Sequence, residues 1–143
     1  MIKDFLFPKK LDYKGASAML LALRLLFGIM LITHGVQKIM AYDALAAGNF
    51  PDPLGIGSAA SVGLAIFGEV VCSAAFVFGF LYRLSMLPMI ITLAVAFFAV
   101  HGGSVAEGEL AFIYLVVFII MYAAGPGSYS LDALISRKLG IRR

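Results

Sequence analysis

Four apolar runs take up most of this chain, and each is long enough to cross a lipid bilayer. A helix rises about 1.5 Å per residue, so roughly 20 residues span a hydrocarbon core of about 30 Å. The runs are predicted at about 17–40, 58–82, 84–101 and 107–124. Hydrophobic residues make up 62% of the chain and charged residues 13%, against about half and a quarter in a soluble domain. The expected fold is all-α, an integral membrane antiparallel four-helix bundle. Residues 1–15 read as a cytoplasmic lead, 16–125 as the transmembrane domain and 126–143 as a cytoplasmic interfacial tail.

Charge orients the bundle. Nine of the eleven Lys and Arg fall in the amino-terminal lead, at Arg83 or in the tail, whereas the segment 42–57 carries Asp43 and Asp52 and no base. This is the positive-inside pattern, with both termini cytoplasmic. The basic residues sit beside the spans and form no stripe with interleaved aromatics, which excludes nucleic-acid binding. A single cysteine, Cys72, excludes an internal disulfide, a CxxC centre or a cysteine-cluster metal site, and reads as a small apolar filler.

Local signals fill in the frame. The first run is read as a retained helix rather than a signal peptide, because Gln37 and Lys38 intervene before Ala44-Leu45-Ala46. Arg24, Gly28, Leu31, Gly35 and Lys38 share one stripe of it, whose glycines admit a close neighbour and whose Lys38 would snorkel outward. Val62, Ala65, Cys72, Ser73 and Phe76 share the Glu69 face of the second run. Pro88 is expected in the first turns of the third helix, and Ser104 to Glu107 reads as a capping box for the fourth. Ser130 should cap a short amphipathic helix lying on the membrane surface.

The residues that bear on chemistry are few. Glu69 falls near the middle of a span, where a carboxylate costs about 3 kcal/mol or more unless protonated, paired or facing a cavity. It is either a proton-exchanging acid facing a cavity or a structural acid tied to a neighbour. Arg24 is the candidate partner, although its place nearer the cytoplasm leaves a direct pair open. His34 and His101 both fall near the outer ends of helices. One could bond a quinone carbonyl, and the two could ligate a haem; their unequal depth and the lack of a third ligand argue against haem and against a metal site. Gln37, Lys38, Glu107 and Glu109 lie on the same side and could complete a polar pocket, or could be solvated loop-edge residues.

With those residues in view, the chain resembles the DoxX family of small bacterial four-helix membrane proteins. The matching pieces are Arg24 with Gly28, Gly35 to Lys38, Gly68-Glu69, Gly79 with Arg83, and His101. Glu109-Leu110 and Gly125-Pro126-Gly127 leading to Ser130-Leu131-Asp132 complete them. The family is similar to the small subunit of thiosulfate:quinone oxidoreductase and is associated with membrane redox complexes and oxidative stress. The resemblance therefore implies a multi-pass protein of the bacterial inner membrane with quinone-linked or redox-partner work; without a redox centre of its own it would need a partner subunit to supply electrons. No intrinsic cofactor is predicted. The expected polar site is built on Arg24 and Glu69, with His34, Gln37, Lys38, His101 and Glu109 as further candidates. A non-enzymatic scaffold or assembly subunit is the alternative; a small-molecule or proton transporter would require a homo-oligomer.

Overall fold

The computed structural model describes residues 12–141. Four helices in it are long and apolar enough to cross a membrane: α1 (Tyr13–Met40), α2 (Ser58–Phe78), α3 (Tyr82–Val100) and α4 (Val105–Ala124). A short α5 (Leu131–Lys138) follows, and the described residues contain no strand. The helices run antiparallel. The start of α1 and the segment after α4 meet at one end, where the Ser17 and Ser128 hydroxyls lie 3.1 Å apart; this is called the terminal end. The long connection 41–57 and the turn 101–104 form the loop end. Lys3, Lys9, Lys10, Arg142 and Arg143 of the expected basic flanks lie outside the described residues.

Side chains account for most boundaries. Asp12 accepts the Gly15 amide at 2.8 Å, which starts α1 at Tyr13, ahead of the predicted position 17. Arg24, Gly28, Leu31 and Gly35 are buried along one stripe, as the spacing predicts. A methyl group on Gly28 would collide with Val77, and one on Gly35 with Val70, so both glycines let α2 lie against α1. Val62, Ala65, Cys72, Ser73 and Phe76 are buried on the Glu69 face of α2.

Three local expectations are corrected. Helix α2 stops at Phe78 rather than Tyr82, because Gly79 turns left-handed (φ 65°) and the amides of Gly79 and Phe80 return to the carbonyls of Phe76 and Ala75. Consequently α3 begins at Tyr82, and Pro88 lies inside the helix rather than in its opening turns. Ser104 precedes α4, but its side chain makes no capping bond, so the Ser104–Glu107 box does not form. The helix is bent just beyond, at Gly108, where a methyl group would lie 2.9 Å from His101 Cβ. The Ser130 cap is present: its hydroxyl accepts the Ala133 amide at 3.1 Å.

Aromatic and methionine side chains fill the interior. Phe76 of α2 stacks on Tyr82 of α3 at 5.5 Å and meets Phe118 of α4 edge-on at 5.1 Å. Met86, Met89 and Met121 are fully buried between them. The outer faces carry large apolar side chains such as Leu84, Phe98 and Ile120, each more than 60% exposed in the isolated chain, as lipid contact requires. Within the spanning helices two stretches are wider π turns, Phe67–Cys72 in α2 and Val95–Val100 at the end of α3, and a third, Leu45–Asn49, lies in the loop-end connection.

Candidate functional site

The two intramembrane charges expected to form one site have different partners. Arg24 is 1% exposed and bonds only backbone carbonyls. Its Nη1 donates to Pro126 O at 2.6 Å, its Nη2 to Tyr129 O at 2.8 Å and to Val77 O at 3.1 Å, and its Nε again to Val77 O at 3.3 Å. Val77 belongs to the last turn of α2, whose carbonyls have no intrahelical donors and carry the negative end of the dipole. A fork of five N–H groups suits three carbonyls from two segments better than it suits a single distant carboxylate. The polar site on Arg24 plus Glu69 is therefore corrected: Arg24 ties the segment after α4 to the end of α2.

Asp132 completes this end. Its two carboxylate oxygens accept the amides of Leu81 and Tyr82, both at 2.9 Å, while its own amide donates to Gly79 O at 2.9 Å. Leu81 has φ 46°, a conformation side chains rarely adopt, and Asp132 holds it there. Gly79 sits so close to Ser130 and Arg24 that a methyl group would lie 2.5 Å from Ser130 Cβ. Arg24, Gly79, Ser130 and Asp132 thus form one lock between the α2–α3 turn and α5.

Glu69 belongs to the other half of the bundle. It lies in the π turn of α2, 7% exposed, and Lys38 Nζ donates to its Oε2 at 2.6 Å. Lys38 bends inward rather than snorkelling to the surface, because Gly35, one turn earlier, brings α1 against Glu69 itself: its Cβ would be 3.0 Å from Glu69 Cβ. The pair forms the polar part of the wall of a cavity of about 250 Å³ between α2, α3 and the loop-end connection. The remaining wall is apolar, from Leu64, Ala65, Ile91 and Val95 among others, with Thr92 adding a hydroxyl. Phe50 to Leu54 contribute its cover through Phe50, Pro51, Pro53 and Leu54. Leu64 and Ile91 are each more than half exposed on the outer face, so the cavity borders lipid.

The cover is held by Asp52. Its carboxylate accepts the Ser61 hydroxyl at 2.7 Å and the amides of Gly57 at 2.7 Å and Ile56 at 3.0 Å. The Ser61 hydroxyl, followed by the Gly57 amide, holds this carboxyl below the usual aspartate range. The π turn of α3 also reaches the cavity, through Val95, Ala96 and Val100. The π turns of α2 and α3 therefore border one cavity, whereas the one at Leu45–Asn49 does not, in keeping with the tendency of π bulges to occur at functional positions.

The other predicted residues stand apart from this wall. His34 is half-buried and meets the Tyr114 ring edge-on at 6.2 Å. His101 ends α3 and packs on Gly108, while Gln37, Glu107 and Glu109 are exposed. No group of three potential metal ligands occurs among the described residues. Asp52, Ser61, Thr92 and Tyr114 were not singled out from the sequence. Asp52 carried a signal: an aspartate between two prolines, followed four and five residues on by the amides it caps, is a turn-forming pattern.

Comparison with known proteins agrees with this architecture. An uncharacterized membrane protein of Mycobacterium tuberculosis is 28% identical over 149 residues, covering 92% of this chain and 89% of its own length. An uncharacterized protein of Haemophilus influenzae is 29% identical over 136 residues, covering 90% of each. No solved structure matches the chain. Residues 19–102, which hold most of α1, all of α2 and α3 and the Lys38–Glu69 cavity, match the DoxX family, and this multi-pass membrane protein belongs to it.

Proposed function

We propose that the chain is the membrane subunit of a quinone-linked redox complex, and that the Lys38–Glu69 cavity receives the head of a membrane-resident quinone. The observation that carries this reading is a half-buried ion pair set in a predominantly apolar cavity that borders lipid. About 250 Å³ accommodates a substituted six-membered ring, and the lipid-side opening leaves room for its tail. When bound, a quinone supplies two-electron, two-proton chemistry. Lys38 donates a hydrogen bond where a ring carbonyl would lie, and Glu69 holds or releases a proton beside it. The Asp52-held cover lies over the cavity at the loop end, where Lys38 keeps part of its side chain exposed. One cysteine and no metal-ligand cluster among the described residues imply that electrons come from a partner subunit. Following the charge distribution, the terminal end faces the cytoplasm and the cavity lies in the outer half of the membrane.

Native mass spectrometry of the full chain released gently from its own membrane tests this. The reading expects a bound quinone in the wild-type protein and its loss in Glu69→Gln with folding intact. A wild-type chain carrying only lipid and a second protein would favour the scaffold reading, which the carbonyl lock around Arg24 supports for the terminal end.

A further inference from the structure

Four polar side chains line the cavity: Lys38, Ser61, Glu69 and Thr92. Three of them are already engaged with the protein. Lys38 and Glu69 bond each other at 2.6 Å, and the Ser61 hydroxyl donates to Asp52 at 2.7 Å. Thr92 differs. A threonine inside a helix commonly returns its hydroxyl to a carbonyl one turn earlier, as Thr33 does to Met30 O at 2.6 Å. The Thr92 hydroxyl makes no such bond with Pro88 O or with any other described residue. Its Oγ1 lies instead at the seam of α2 and α3, where a Cβ on Gly68 would come within 2.8 Å of it. Glycine at 68 therefore leaves that oxygen uncovered, one residue before Glu69. Valine has nearly the same shape, so packing accounts for a side chain of this size but not for its oxygen.

We propose that Thr92 is the second anchor of the cavity, and that the ligand is a ring carrying two oxygens, one bound by Lys38 and the other by the Thr92 hydroxyl. This rests on the quinone reading and narrows it, because a lipid with a single ring oxygen would leave one anchor idle. The anchors come from different helices, Lys38 from α1 and Thr92 from α3, and α2 touches both, through Glu69 and Gly68. Two anchors on separate helices fix the orientation of the ring, which one anchor leaves free to turn. They also differ in kind. The Lys38 ammonium only donates, whereas a hydroxyl donates to a carbonyl and accepts from another hydroxyl. Thr92 thus keeps its bond in both the quinone and the quinol form. On the Lys38 side, Glu69 supplies the acceptor that a quinol hydroxyl needs. A site built to bond both oxygens discriminates against a ring that lacks one of them.

Calorimetric titration of the full chain in lipid nanodiscs tests this with two probes of equal tail, a decyl benzoquinone with two ring oxygens and a decyl phenol with one. Thr92→Val should weaken quinone binding about three- to tenfold, the loss of one hydrogen bond, and leave the phenol as in the wild type. Thr92→Ser keeps the hydroxyl and should retain most of the quinone affinity. Thr33 is exposed and outside the cavity, so Thr33→Val should change neither probe. Wild-type quinone affinity in Thr92→Val would overturn the second anchor and leave the quinone reading standing. Equal weakening of both probes, or a Thr92→Ser chain as weak as Thr92→Val, would also overturn it, since Thr92 would then act through its shape. A wild-type chain that does not bind the quinone would overturn the anchor and the quinone reading together.

Discussion

Lys38 and Glu69 meet at 2.6 Å across the α1–α2 contact, 31 residues apart in the chain, with the Glu69 side chain 9% exposed and that of Lys38 24%. Attraction in a low-dielectric cavity holds the pair, while desolvation of both charges opposes it. Removing one partner leaves the other charged in an apolar wall. Lys38→Met or Glu69→Gln alone should therefore lower stability by about 1–3 kcal/mol, less than for a fully buried pair because Lys38 retains some solvent. The double variant should recover most of that loss. Denaturant titration in mixed micelles reads the cycle, and fully additive losses would show that the two side chains do not interact.

Arg24 gives a sharper expectation at the other end of the bundle. Replacing it with methionine leaves carbonyls of Val77, Pro126 and Tyr129 without their donor, at a cost of roughly 3 kcal/mol or more. Arg24→Lys should recover little, because one ammonium cannot span carbonyls fixed for a planar fork. The first consequence should be release of α5. Limited proteolysis would show faster cleavage after Ala124 in both variants, and wild-type resistance in Arg24→Met would refute the lock.

The spans and the buried stripe of α1 were legible because they depend on periodicity alone. The partners of Arg24 and Glu69 were not. Weighing the two charges as candidate partners for each other overlooked backbone carbonyls, which have no sequence signature, and the acceptors of Arg24 came from the ends of two segments. The inward turn of Lys38 depends on Gly35 seating α1 against Glu69, a packing detail that a one-helix projection cannot show. Tyr114 read as one aromatic among many, because only three-dimensional packing leaves its hydroxyl without a hydrogen-bond partner among the described residues. Five of the nine Lys and Arg behind the expected cytoplasmic placement of the termini lie outside residues 12–141.

Acid should open the cover of the cavity. The Asp52 carboxyl is held below its usual value by Ser61 and the Gly57 amide. Its contribution to the folded loop is therefore complete above the ordinary aspartate value of about 4 and disappears as pH falls through the depressed folded value. Amide exchange at Ile56 and Gly57, corrected for intrinsic rates, should be constant from neutral pH to about 5 and accelerate only below about 4. Ser61→Ala should move that acceleration to higher pH, since the first cause of the depression is gone. Protection that is unchanged at acid pH, or indifferent to Ser61→Ala, would mean that Asp52 does not hold the cover.

Gly35 tests whether the site depends on the approach of α1 to α2. Any Cβ at this position collides with Val70 and lies 3.0 Å from Glu69 Cβ and 3.3 Å from the Glu69 carbonyl carbon. Val70 could rotate away, but the Glu69 backbone cannot move without shifting the π turn that carries it. Gly35→Ala should displace α1 from α2, lengthen the Lys38–Glu69 contact and cost about 1–3 kcal/mol as overpacking. Gly63 makes the control: a Cβ there meets nothing within 4 Å, and alanine favours a helix. Gly63→Ala should therefore leave stability unchanged or raise it slightly. Equal losses from the two substitutions would show that close approach at Gly35 does not position the ion pair, and that glycine serves α1 and α2 in some way unrelated to contact.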